Sequence, residues 1–195
     1  MSFALYAHPF SSYSQKVLVA LYENAVPFEY RDLEDPAHAR QLQALWPMKR
    51  FPVLVDDGRT VLEASTIIEY VQLRHPGPVP LLPADPLQAV EVRMLDRFFD
   101  NYVSTPQQKV VFDALCAEGD RDPHGVDQAR RMLETSYAWL EQHLADGRPW
   151  AAGADFSLAD CAAAPFLFYA DWTHPSHPGT PACTPIAHGC WPGPP

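Results

Sequence analysis

Three serines and one histidine crowd the opening of the first helical stretch, "HPFSSYSQKVLVALYE", His8 to Glu23. Ser11, Ser12 and Ser14 place hydroxyls where the helix begins, and His8 is the one side chain there that titrates near neutral pH. Ser11 or Ser12 can cap the helix by accepting from a first-turn N–H. A second place of interest is "LEASTIIEY", where Glu63 and Ala64 start a helix directly after a strand. The N–H groups and positive dipole end of such a start make a ready seat for a carboxylate. Glu63 also reads as an ordinary first-turn acid. The third is "RFPVL", with Pro52 immediately before a strand although proline cannot donate to a ladder. A cis Phe51–Pro52 bond would aim the Phe51 backbone outward, to pair with an extended peptide like an added strand. A trans proline at a strand start is the plain alternative.

These places need elements to hold them. "FALY" reads as a short buried strand and "SSYSQKVLVALYENAV" as a helix with apolar Val17, Leu18, Leu21 and Tyr22. "PFEYRDL" alternates as a strand, and "PAHARQLQALW" is helical with Pro36 in its first turn. "FPVLVDDGRTVLEA" predicts two strands joined at Asp57-Gly58, followed by the helix "STIIEYVQLRH". A strand-helix-strand start needs a parallel pair with a crossover helix, and the hairpin then adds an antiparallel edge. That is a thioredoxin-like α/β domain over residues 1–76.

Residues 77–86 belong to a proline-rich, stiff connector. An all-helical domain follows over residues 87–172. "LQAVEVRMLDRFFDNYVS" carries Val90, Met94, Leu95 and Phe98 on one helical face. "GVDQARRMLETSYAWLEQHLA" repeats the pattern with Ala129, Met132, Leu133, Tyr137 and Leu140. "SLADCAAAPFLFYADW" is apolar nearly all round and predicts a buried central helix. Its "FSLAD" start reads as a capping box, with Ser157 as cap and Asp160 three residues on.

The 195 residues carry 14 Lys and Arg against 24 Asp and Glu, a net charge of -10 with His neutral. That balance lacks the basic footprint of a nucleic-acid binder and would be repelled by anionic lipid. No leader pattern and no long apolar span are visible, so no membrane association is expected. Cys116, Cys161, Cys183 and Cys190 form no CxxC motif and no even framework, and the set His177, Cys183, His188 and Cys190 fits no zinc spacing. A cytoplasmic, reducing setting and no metal are expected.

In order, "LYAHPFSSYSQKV", "PFEYRDLEDP", "PMKRFPVLVDDGRTVLEASTIIEYV", "LLPADP" and "GADFSLADC" resemble the soluble glutathione S-transferases, of a bacterial-like kind. The resemblance runs from Phe3 to about Trp172. It implies glutathione as co-substrate, held by the first domain, and a small electrophile in a pocket built mostly by helices. The cysteinyl part of glutathione would pair with the backbone of Phe51 before Pro52. Its γ-glutamyl carboxylate would sit at Glu63 and Ala64, where the family has a Glu-Ser pair. Ser65 is next in line, pointing elsewhere unless the turn is shifted. Lys49 and Arg50 would face the glycyl end. Ser11 would donate to the glutathione sulfur, with Ser12 the runner-up and Tyr6 a third candidate that reads better as a core aromatic. His8 reads as a loop residue rather than a general base. Arg97, Phe98, Asn101 and Tyr102 fall where the family lines its pocket, and serve equally as core or dimer contacts. A homodimer is implied. No cysteine stands at position 11 or 14, so disulfide exchange through an enzyme thiol is not expected. Alternatives on the same scaffold are a non-catalytic binding or interaction module and a glutathione-dependent reductase or isomerase.

Residues 173–195 depart from this pattern. The tail is rich in proline and without periodicity, where the family would continue with further helices. Three readings compete: a disordered proline-rich tail, a metal site from His177, Cys183, His188 and Cys190, and the preferred one, a fold with its last helices missing and a tail read in a shifted frame. Another frame of the back-translated tail permits a run with helical spacing.

Overall fold

The computed structural model describes residues 3–175, so the expectations for the tail lie largely outside the described residues. The chain divides into two units, Met1–Pro86 and Leu87–Pro195.

The first unit is built on a four-stranded sheet of order β2-β1-β3-β4. Its strands are β1 (Phe3–Ala7), β2 (Glu29–Asp32), β3 (Val53–Asp56) and β4 (Arg59–Val61). Its helices are α1 (Ser12–Glu23), α2 (Pro36–Leu45) and α3 (Ala64–Arg74). β1 and β2 are parallel, with Leu5 opposite Tyr30, and α1 is the crossover between them. β1 and β3 are antiparallel with Tyr6 opposite Val53, and β3 pairs with β4 with Leu54 opposite Val61. Asp57 and Gly58 turn the hairpin with φ 44 and 85. Positive φ at both central residues matches the right-handed twist of the strands.

Strand alternation sorts the side chains. Tyr6, Leu42 and Val53 form a core with Leu33, Leu45, Trp46, Val55 and Leu62 on the α2 face. α1 packs against α3, and α3 also meets β3 and β4. α1 is buried on most sides: Ser12, Ser14 and Lys16 are hidden together with Val17 to Leu21. Tyr22, expected on the apolar face, is instead exposed and meets Phe28 edge to face. Asp56 closes the end of β3. Its Oδ2 accepts from the Tyr70 hydroxyl at 2.8 Å and lies 3.4 Å from His75 Nε2. The connector is pinned at two points. Asn24 Oδ1 accepts from Val79 N at 2.9 Å, and Gln72 Oε1 accepts from Leu82 N at 2.7 Å.

The second unit is helical: α4 (Pro86–Phe98, running in from the connector), α5 (Thr105–Leu115), α6 (Pro123–His143) and α7 (Leu158–Thr173). A π-helical segment, Phe99–Ser104, joins α4 to α5. The sequence reading stops at Ser104 and misses α5. Pro106 sits in the first turn of α5, where a missing N–H costs little. The wider turn ahead of it lets the Thr105 N–H reach the Asp100 carbonyl. The expected face of α4 is corrected as well. Val90 and Met94 are exposed, and Ala89, Val92, Leu95, Asp96 and Phe99 are buried. Spacing alone could not choose, because large apolar residues stand on more than one side of this helix. On α6, Met132 is exposed while Ala129, Leu133, Tyr137 and Leu140 are buried as expected.

α7 is covered nearly all round and packs against the π-helical segment and α5. Its capping box forms. Asp160 Oδ2 accepts from Ser157 N and Ser157 Oγ, both at 2.9 Å, and Oδ1 accepts from Ala151 N at 2.7 Å. Asp160 has no exposure to solvent. Burial pushes its carboxyl upward against the pull of these donors. Replacing Asp160 with Ala strands buried donors and is expected to cost about 3 kcal/mol, read as a lower urea midpoint.

For Asp56, burial pushes the carboxyl up, but the Tyr70 and His75 hydrogen bonds outweigh it and hold it below the usual carboxylate range. A lowered folded pKa stabilises above the unfolded value and is lost as pH falls through the folded one. Tyr70→Phe is expected to cost about 1 kcal/mol at neutral pH. The difference from the wild type, followed by urea unfolding, is expected to shrink as pH falls through the lowered Asp56 pKa.

Candidate functional site

The site is assembled by strand register. β1 runs into the loop that opens α1. β3 starts opposite the end of β1, with Val53 facing Tyr6. β4 returns antiparallel, so Val61 ends level with Leu54 and the chain enters α3 at that same end. Three features therefore converge on one end of the sheet: the β1–α1 loop, the Phe51–Pro52 bond and the start of α3. The Phe51–Pro52 bond is cis.

The three serines are differently employed. Ser11 is the cap of α1, with its Oγ accepting from Ser14 N at 3.2 Å. Its backbone N–H donates to His8 O at 3.1 Å, which tightens the loop. Ser14 is fully buried, and its Oγ accepts from His8 N at 3.2 Å. Ser12 is buried in the first turn. Only Ser11 of the three keeps partial exposure. Accepting a bond uses one of its lone pairs and leaves its proton to donate. The His8 ring is held in the loop. Its Nδ1 accepts from Phe10 N at 3.2 Å and it stacks on Phe51, ring centroids 6.0 Å apart.

Tyr6 lies in the core, 3% exposed, as the sequence reading prefers. Its hydroxyl donates to Gln41 Oε1 at 2.9 Å and accepts from the Arg31 guanidinium, which also lies over its ring. Its hydroxyl is thus engaged on the α2 side of the sheet.

At the start of α3, Glu63 has φ 65 and makes no side-chain cap bond. A non-glycine residue there costs about 1–3 kcal/mol, a strain that gathers at functional sites. Glu63 is exposed and Ala64 is buried as the first helical residue. Ser65 is buried, and its Oγ accepts from Lys16 Nζ at 2.9 Å. The hydroxyl is turned in toward α1. Lys49, also at positive φ, and Arg50 stand exposed in the turn before Phe51. Pro52 is buried beneath them. Lys16 was missed by the sequence reading. The available signal is a charged residue set directly against the run "VLVAL", on a helix with little room for a polar face.

In the second unit, Arg97 Nη2 bonds Asp96 Oδ2 at 2.6 Å and lies 3.3 Å from Asp100 Oδ2. Phe98 meets Trp139 at 4.4 Å and Tyr102 at 5.6 Å between ring centroids. Asn101 and Tyr102 are exposed. Among the described residues no cluster of three metal-ligating side chains occurs, and no helix is long and apolar enough to cross a membrane.

A thioredoxin-like sheet with a cis proline and an uncapped α3 start, followed by a helical unit, defines the class of protein. Residues 5–79 match the glutathione S-transferase N-terminal domain, and residues 123–189 match the glutathione S-transferase C-terminal domain. The chain belongs to the glutathione S-transferase family. Glutathione S-transferase U10 of Arabidopsis thaliana is 29% identical over 135 residues, 69% of this chain and 56% of that protein. The chain thus spans little more than half the length of that relative. A probable maleylacetoacetate isomerase of Caenorhabditis elegans is 28% identical over 170 residues, 86% of this chain and 78% of its own. A solved glutathione S-transferase of Methylobacterium radiotolerans, in complex with glutathione sulfonate, is 26% identical. It superposes with a TM-score of 0.78 and covers 96% of this chain and 89% of that one.

Tyr6→Phe tests the assignment of Tyr6 to the core. The variant is expected to lose about 1 kcal/mol of stability in urea unfolding, with glutathione affinity by calorimetry unchanged.

Proposed function

We propose that this protein is a glutathione transferase that activates the glutathione thiol for attack on small electrophiles. The observation that carries this reading is Ser11. It caps α1 through a lone pair, retains its proton, and is the partly exposed serine at the positive end of the helix. A hydroxyl donor and a helix N-terminus both favour a thiolate over a thiol. With an aryl halide, the sulfur forms the new bond to carbon, halide leaves with the bond pair, and the thiol proton passes to solvent. The protein supplies activation and proximity, with no covalent intermediate on its own chain.

Glutathione would lie extended across the end of the sheet. Its cysteinyl part would pair with the Phe51 backbone, its γ-glutamyl carboxylate would meet the start of α3 near Glu63 and Ala64, and its glycyl carboxylate would face Lys49 and Arg50. The glutathione sulfonate complex of the Methylobacterium relative supports a peptide of this kind in the fold. A cytoplasmic homodimer is part of the same reading. The engaged hydroxyl of Tyr6 and the burial of Ser12 favour Ser11 over both.

An isomerase acting through the same thiolate draws support from the Caenorhabditis relative. It would return glutathione unconsumed, whereas a transferase consumes one glutathione per conjugate.

The test is ultraviolet difference spectroscopy of bound glutathione across a pH series, for the wild type and Ser11→Ala. The wild type is expected to show a thiolate band with an apparent pKa well below that of free glutathione. Ser11→Ala is expected to lose that band, and about a hundredfold in kcat/KM with an aryl halide. Ser12→Ala is expected to keep both. A band that survives in Ser11→Ala would move the role to another group.

A further inference from the structure

Lys16 has no exposure to solvent, yet it carries an ammonium group into the seam between α1 and α3. A buried Lys is rare because taking its charge out of water is costly unless it is held by partners. Here Nζ donates to Ser65 Oγ at 2.9 Å, with Ser65 only 6% exposed. Ser65 is the second residue of α3, directly after the Ala64 that opens the helix. Glu63 ahead of it sits at φ 65 and makes no side-chain cap bond. The α3 start thus combines three features: a strained entry, first-turn N–H groups that Glu63 does not cap, and a cation behind them. Lys16 itself lies about one and a half turns along α1 from the Ser11 cap, and its bond to Ser65 links α1 to the start of α3.

We infer that Lys16 is a positioning residue for glutathione. Through Ser65 it fixes the first turn of α3, and its buried charge adds to the field that holds the γ-glutamyl carboxylate. This rests on the reading of the site proposed above. A charge shielded from water is screened far less by salt than one on the surface, so its field persists at the helix start. The family pattern places a serine where Ala64 stands, and the missing hydroxyl contact is offset by a stronger local field. The Ser65 hydroxyl serves the seat from behind rather than as a ligand.

The experiment compares the wild type with Lys16→Met, Lys16→Arg and Ser65→Ala in calorimetric binding of two ligands. One is glutathione. The other is 4-aminobutyryl-cysteinylglycine, which is glutathione without the γ-glutamyl α-carboxylate. Lys16→Met is expected to weaken glutathione about tenfold and to leave the decarboxylated peptide unchanged. Lys16→Arg, which keeps the charge, is expected to stay near the wild type. Ser65→Ala is expected to show the same selective loss to a smaller degree, and it decides the matter if Lys16→Met fails to fold. Equal weakening of both ligands, or no weakening, overturns the inference and leaves Lys16 a packing residue. A wild type that binds neither ligand overturns instead the glutathione reading on which the inference stands.

Discussion

The site depends on one constraint, the parallel pairing of β1 and β2. Parallel neighbours cannot be joined by a tight turn, so a crossover helix has to lie between them. That crossover is α1, and its N-terminus necessarily emerges at the C-terminal end of β1. β3 then runs antiparallel to β1 and β4 antiparallel to β3, which delivers the start of β3 and the end of β4 to the same edge. Two helix N-termini and one cis proline are brought together by pairing rules alone. No side-chain interaction is needed to gather them, although side chains decide what each one presents.

Buried polar groups of the first unit, together with the half-buried Ser11, do that second task. Ser14 holds the His8 backbone and Ser11 closes the first turn of α1. Lys16 reaches across to Ser65. At the opposite end of the sheet, Asp56 takes hydrogen bonds from Tyr70 and His75 and ties β3 to the far end of α3. α3 is therefore fixed at both ends by side chains while its middle packs through Ile67, Ile68 and Val71. Satisfied buried networks of this kind rigidify what they connect.

The second unit follows another logic. α7 is apolar on nearly all sides and has no periodicity to orient it, so the Ser157–Asp160 box marks where it begins. The box was legible because its residues are local and its geometry is set within one turn. The continuation through the π-helical segment into α5 was not legible. A proline two residues past Ser104 reads as a stop, and only the wider turn ahead of it lets the chain continue. The buried side of α4 was likewise out of reach, since Ala89 and Asp96 outrank Val90 and Met94 in burial.

What the sequence determined by itself is what short-range chemistry decides. This includes the order of strands and helices in the first unit, the Asp57-Gly58 hairpin and the cap at Ser157. What only the tertiary structure decided is which hydroxyl or charge looks outward. Ser65 turns in to Lys16, Tyr6 turns to Arg31 and Gln41, and Ser11 remains partly exposed. The reason is physical. In a helix or strand covered on both sides, spacing no longer separates a wet face from a dry one. The direction of each polar side chain is then set by the partner that the neighbouring element supplies.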